Sequence, residues 1–199
     1  MNKDNIMKAA SQSVTYTTAA LLFVSLNVAA ANLHQDINRI ESNSLNNISG
    51  IIGVNTAAGD NNIQANNKSI AIGQQAQAIS KSKMYTEGLN HNGVASVRIE
   101  ANTLHNAHGL ISVNQVSGSH NIQLNDISIA FGEHAQVLSD MSLSTRPTNS
   151  LNLIDEDSVG DKTFYLDNNS LKGASGAIQI NQIAGNGNIV VNRVSMPIQ

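Results

Sequence analysis

The side chains with the most chemistry to offer are four histidines, His105, His108, His120 and His134, which fall in the middle of the 199-residue sequence. The His105-x-x-His108 spacing can ligate a divalent metal. Gly59-Asp60-Asn61-Asn62-Ile63 has the outline of a calcium-binding turn, and Asp155, Glu156, Asp157 and Asp161 form an acidic run. None of these sets recurs where the sequence repeats itself. Asn46 and Ser49, or Lys172 and Ser175, stand where His105 and His108 would be, and Ser119 and Asn186 replace Asp60. The histidines therefore read as solvated polar residues and the acidic run as a solvated loop. No Cys is present, which excludes a disulfide, a thiolate zinc site and a cysteine nucleophile. G-x-S-x-G, phosphate-loop and dinucleotide fingerprints are missing, and no paired carboxylates sit in an apolar setting. An enzyme, a cofactor and a small-molecule substrate are not expected. A net charge of −3 gives no basic footprint for nucleic acid. What is abundant is amide: 28 Asn and 12 Gln, one residue in five. An amide both donates and accepts, so its chemistry is hydrogen bonding to its own kind.

The amides sit in three imperfect, gap-free repeats, Leu45–Ile72, Leu104–Phe131 and Leu171–Ile198. Leu45, Leu104 and Leu171 correspond, as do Gly50, Gly109 and Gly176. Val54, Val113 and Ile180 are each followed by an amide: Asn55, Asn114 and Asn181. Gly59, Gly118 and Gly185 precede Asn62, Asn121 and Asn188, which lead into Ile63, Ile122 and Ile189. Asn66, Asn125 and Asn192 follow, then Ser69, Ser128 and Ser195. The copies are offset by 59 and 67 residues, so the units are equal and the spacers are not.

The elements that must position these amides follow from a period of two. Ile111, Val113 and Gln115 alternate with Ser112 and Asn114, the pattern of a half-buried strand. The Gly59, Gly118 and Gly185 segments are turns, and a second break is expected near Asn67, Asp126 and Arg193. Each unit thus reads as strand, tight turn, strand, short turn, strand, with hairpin and β-arch indistinguishable by sequence. A lone unit buries too few aliphatic side chains to offset the entropy of ordering it. Stacked copies add in-register hydrogen bonds about every 4.8 Å and set like residues over one another. The fold class expected is all-β: three repeats stacked as a β-solenoid or cross-β, β-arch core. Three amide ladders are expected, Asn55–Asn114–Asn181, Asn62–Asn121–Asn188 and Asn66–Asn125–Asn192, with long linkers looped out of the stack. Stacking like charges costs energy, which accounts for the scarcity of charge in the units. Lys68, Asp126 and Arg193 are weak gatekeepers, and the stack's two edges look open to another molecule.

At the N-terminus Lys3 and Lys8 precede the apolar run Thr18–Leu26 and the small residues Val28–Ala31. That is the order of parts in an export signal, and the run is too short for a spanning helix. The expected organisation is a signal peptide with its helix at 1–31, a lead at 32–44, repeat 1 at 45–72 and linker 1 at 73–103. Repeat 2 at 104–131, linker 2 at 132–170 and repeat 3 at 171–199 complete it. The product is expected outside the cell or on its surface, by way of a periplasm.

The pattern G-x-x-x-[VI]-N-x-x-x-G-x-x-N-I-x-x-N recurs as Gly50–Asn66, Gly109–Asn125 and Gly176–Asn192. It resembles the repeats of the Fap functional-amyloid fibre subunits of Gram-negative bacteria, which share the signal peptide, the three amide-rich repeats and the unequal linkers. The resemblance implies export through a dedicated outer-membrane pore and assembly, with itself and related subunits, into biofilm fibres that aid adhesion. The major Fap subunit carries a paired-Cys motif that this chain lacks, which leaves a minor or nucleating role open. Curlin repeats, shorter and contiguous, do not match. Ser69–Ala78 and Ser128–Gln136 are also similar to the head repeat of trimeric autotransporter adhesins. That likeness implies the alternative of a ligand-binding β-roll head that forms no fibres.

Overall fold

The structure, a computed structural model, describes residues 34–90, 93–149 and 160–199. The expected signal helix falls at 1–31, outside those residues. Eleven strands make up the described chain: β1 (His34–Ile40), β2 (Ser49–Ala58), β3 (Ile63–Ile72), β4 (Gln75–Asn90), β5 (Gly93–Ile99), β6 (His108–Ser117), β7 (Ile122–Phe131), β8 (His134–Asn149), β9 (Lys162–Leu166), β10 (Ser175–Ala184) and β11 (Ile189–Ile198). No strand pairs with its neighbour in sequence. They form four sheets, β1-β5-β9, β2-β6-β10, β3-β7-β11 and β4-β8, which we call layers A to D. Every pairing is parallel. Consecutive strands therefore lie in different sheets. The turns between them are arches, and each strand is free to pair along the stacking axis instead. The chain makes one pass through the layers per coil: β1–β4 form coil 1, β5–β8 coil 2 and β9–β11 coil 3.

One rule sets the register throughout. Coil 1 pairs with coil 2 at an offset of 59, as in Asn55 with Asn114, and coil 2 pairs with coil 3 at 67, as in Asn114 with Asn181. Outside the repeats the offset of 59 holds in layers A and D, where Ile40 pairs with Ile99 and Gln75 with His134, and the offset of 67 holds in layer A, where Ala95 pairs with Lys162. Here the structure corrects the sequence. The segments 73–103 and 132–170, expected to loop out, carry β4, β5, β8 and β9 and join the stack. Like residues stack there too, as Gln77 on Gln136, Ser80 on Ser139 and Thr86 on Thr145, and unlike columns are complementary. Lys81 pairs with Asp140 and Glu87 with Arg146, while the inward positions Ala76 and Ala135 keep a small side chain in both.

A second correction concerns the break expected near Asn67, Asp126 and Arg193. Strands β3, β7 and β11 run straight through it. Asn66 donates to the Val54 carbonyl in layer B, whereas Asn67 donates to Ser82 Oγ in layer D. Layer C is sandwiched between two layers, so its polar residues at adjacent positions each find a partner and no turn is needed.

The aliphatic core lies between layers A and B. Ile40, Ile99, Leu104, Ala107, Ile111 and Val113 pack together, with Leu45, Ile52, Val54, Leu171, Ile178 and Ile180 against them. Leu45 and Leu104 enter it from the connection before β2 and β6, where both adopt positive φ. A smaller cluster, Ala71, Ala76, Ala78, Ala130, Ala135 and Val137, holds layer C to layer D. Coil 2 is covered by strands on both sides along the axis, and Ile111, Val113, Ile122, Leu124 and Ile127 are fully buried. Coils 1 and 3 present their outer strand edges.

Candidate functional site

The amides converge between layers B and C. Asn114 Nδ2 donates to Asn55 Oδ1 at 3.0 Å, and Asn181 Nδ2 donates to Asn114 Oδ1 at 3.0 Å. Across the interface Asn125 donates to Asn66 at 3.0 Å and Asn192 to Asn125 at 3.2 Å. These two columns are themselves cross-linked. Asn66, Asn125 and Asn192 donate to Asn55, Asn114 and Asn181 of their own coils at 2.8, 2.9 and 2.7 Å. Asn114 and Asn181 donate back to Asn66 and Asn125 of the preceding coil at 3.0 and 3.1 Å. The pair is one double ladder with backbone carbonyls at its sides, such as Val113 O, which accepts from Asn125 at 3.1 Å. Asn114, Asn125 and Asn181 are buried. Each such bond contributes about 1 kcal/mol net, and leaving one partner unmet underground costs more.

The third set lies at the arch. Asn121 donates to Asn62 Oδ1 at 3.0 Å and Asn188 to Asn121 Oδ1 at 2.9 Å. The backbone N–H of Asn121 and Asn188 reaches the same acceptors, each at 3.0 Å. Asn62 also donates to the Gly118 carbonyl. Gly118 turns here with φ 113°, and any Cβ on it would strike the carbonyl of Gly185 in the next coil. The tight vertical approach therefore requires glycine at Gly59 and Gly118, and Gly185 shares their positive φ. Gly50, Gly109 and Gly176 stack at the opposite end of layer B, while Val54, Val113 and Ile180 face the aliphatic core and Ile63, Ile122 and Ile189 begin the layer C strands.

Several ladders escaped the sequence reading. Asn102 donates to Asn43 at 3.2 Å, Asn106 to Asn47 at 3.3 Å, Gln64 to Gln123 at 2.6 Å and Gln182 to Gln115 at 2.9 Å. Extending the offsets of 59 and 67 upstream of Leu45 aligns Asn43, Asn102 and Asn169 and reveals the first of them.

Charge enters the stack by lateral pairing. Arg39 stands over Arg98 in layer A, contrary to the expectation that like charges avoid such columns. Both guanidiniums reach Glu100 Oε1, each Nε at 3.0 Å, so a shared counter-ion offsets the repulsion. The Arg98 guanidinium lies 4.7 Å from the centre of the Tyr165 ring. A hydrogen bond to Asp167 pushes the Tyr165 phenol above its ordinary value. Asp126, fully buried, accepts from Ser139 Oγ at 2.8 Å and lies 3.9 Å from Arg193 Nε. Partial burial lowers the Lys68 ammonium pKa.

The candidate ligands are dispersed. His105 lies in the connection before β6, His108 opens β6 and His134 opens β8, whereas His120, expected in solvent, is fully buried in the arch, where Asn61 Nδ2 lies 3.1 Å from its Nε2. Among the described residues no three His, Asp or Glu form a group that could hold a metal ion. Asp155, Glu156 and Asp157 lie outside the described residues. Ser69–Ala78 covers the end of β3, the bend at Gly73-Gln74 and the start of β4. Among the described residues no helix is long and apolar enough to cross a membrane.

The arrangement can hold identical layers together along one axis. No solved structure matches the chain. The family model described as functional amyloid protein FapB/FapC matches residues 23–199, spanning all three coils. Three amide-laddered coils and that match have one conclusion: the chain belongs to the functional amyloid protein FapB/FapC family.

Proposed function

We propose that the chain is a structural protein that is exported with loss of a signal peptide over residues 1–31 and assembles outside the cell into amyloid-like fibres. Those fibres support a biofilm matrix and surface adhesion. Its partners are further copies of itself, related fibre subunits and an outer-membrane secretion pore. The observation that carries the proposal is the double ladder of Asn55, Asn114, Asn181, Asn66, Asn125 and Asn192. It runs the length of the stack in parallel register and meets outer strand edges at both ends. Paired N–H and C=O rows inside and unpaired rows outside are the conditions for templated growth. In this role Asn62, Asn121 and Asn188 hold the arch, Gly59, Gly118 and Gly185 permit its close stacking, and Val54, Val113, Ile180, Ile63, Ile122 and Ile189 supply the layered core.

Purified chain beginning at Asn32 tests the proposal. Incubation should give thioflavin-positive fibres whose diffraction shows a meridional reflection near 4.8 Å and an equatorial one near 10 Å. A chain that stays monomeric for days without either reflection sinks it.

A further inference from the structure

Resting on the fibre assignment, we propose that copies join in one polarity only, coil 3 of one copy on coil 1 of the next, and that Lys162 and Asp36 are the charged pair that selects this joint. The first support is the direction of the ladders. Between coils, every Asn–Asn side-chain bond in the three sets is donated from the higher coil to the lower: Asn114 to Asn55, Asn181 to Asn114, Asn121 to Asn62, Asn188 to Asn121, Asn125 to Asn66 and Asn192 to Asn125. The ends are thus unlike. At coil 1, Asn55 accepts from Asn66 and Asn114 and its own Nδ2 donates to no described residue. At coil 3, Asn188 and Asn192 donate, while their Oδ1 atoms accept from no described residue. Coil 1 on coil 3 sets donors on acceptors and continues the ladder without reversing an amide.

The second support is charge in layer A. Asp36, Ala95 and Lys162 share one column. Asp36 lies against Gly59, where an added Cβ would stand 2.7 Å from its Oδ2, and Lys162 lies along Gly185, where an added Cβ would stand 3.6 Å from its Cδ. Both side chains therefore rest on the same glycine column, at opposite ends of the stack. One strand spacing, about 4.8 Å, would separate them across the joint. Asp36 already takes His34 Nε2 at 3.1 Å, and Lys162 has no ion pair among the described residues. The same step gives the free face of the Tyr165 ring to Arg39 of the next copy, repeating the contact made by Arg98.

The third support is symmetry. A two-fold joint, coil 1 on coil 1 or coil 3 on coil 3, either turns the strands antiparallel or lays layer A on layer D. Both destroy the parallel, like-on-like columns, and coil 3 on coil 3 sets Lys162 near Lys162.

Charge reversal at low salt tests the joint. Asp36→Lys and Lys162→Asp each use a residue type that the column already holds at its other end. Each variant alone should elongate about tenfold more slowly than the parent chain, because every joint pairs like charges. An equimolar mixture should recover to within about twofold and give fibres containing both in equal amounts, since alternation restores an opposite pair at every joint. The double variant Asp36→Lys/Lys162→Asp should assemble alone at the parent rate, which guards against a folding defect, and should seed the parent chain poorly. Unaltered single variants, or a mixture no faster than its components, overturn the joint while leaving fibre formation intact. A parent chain that forms no fibres overturns the fibre assignment itself.

Discussion

Asn114 donates to Asn55 Oδ1, Asn66 Oδ1 and the Ala65 carbonyl, and it accepts from Asn125 and Asn181. An aspartate there keeps the accepting half and points a carboxylate at three oxygens. An uncompensated buried charge costs about 3–5 kcal/mol, so Asn114→Asp should raise the soluble concentration in equilibrium with fibres about 100-fold or more at neutral pH. Burial favours the protonated acid and raises its folded pKa above the unfolded value. The defect is therefore present at neutral pH, shrinks as pH falls through the raised pKa and is gone below about pH 4, where the acid is protonated in both states and donates again. A defect that stays constant with pH would place the side chain in solvent. Lys68 works in the opposite sense. It shares a column with Ile127 and Val194, and burial lowers its pKa, so the assembled state favours the neutral amine. The cost of holding the ammonium is present at neutral pH and is relieved as pH rises towards the lysine range. Elongation of the parent chain should accelerate over that rise, and Lys68→Ile should be several-fold faster at neutral pH with a flat profile. Equal rates for the two chains at neutral pH would remove Lys68 as a gatekeeper.

At the scale of the element, layer D shows how an arch is closed. Gly132 lacks positive φ, yet a Cβ on it would overlap the carbonyl of Gly73 one coil below. Gly132→Ala should therefore strip hydrogen-exchange protection from β4 and β8 while β2, β6 and β10 stay protected, at a cost of about 1–3 kcal/mol. Protection unchanged in β8 would refute the Gly73–Gly132 register. Layers B and C were legible in the sequence because their columns repeat a residue: Asn over Asn over Asn, Gly over Gly over Gly. Layer D was not. Ala76, Gln77, Ser80 and Thr86 do recur as Ala135, Gln136, Ser139 and Thr145, but unlike columns such as Lys81 over Asp140 and Glu87 over Arg146 separate the matches. Layer A hid for a related reason, with Asn38, Val97 and Phe164 in one column and Asp36, Ala95 and Lys162 in another. Hairpin and arch share one turn sequence, and only the sheet to which β2 and β3 each belong separates them. The break expected at Asn67 failed because alternation of polar residues looks the same whether a strand ends or is covered on both faces.

Across the whole molecule, the unequal offsets of 59 and 67 resolve into equal coils. Asn90 ends β4 and Gly93 opens β5, a step of three residues from coil 1 to coil 2. Asn149 occupies the place of Asn90 one coil later, and Gly160 stacks on Gly93. That second step is eleven residues, so the eight-residue difference between the offsets falls wholly between Asn149 and Gly160. Every column in layers A, B and C then follows from one coil length. The sequence places two residues, His91 and Asn92, between the end of β4 and the start of β5. Deleting residues 151–158 leaves Ser150 and Val159 to make the same passage. The shortened chain should assemble within about twofold of the parent rate and keep the reflection near 4.8 Å, because loop length alters stability only weakly and every described strand is retained. It should also be seeded by parent fibres, since both present the same coil 1 and coil 3 edges. If the deletion abolishes assembly while Asn114, Asn121 and Asn125 remain intact, the eight residues do more than connect coils. Equal coils alone would then not account for the stack.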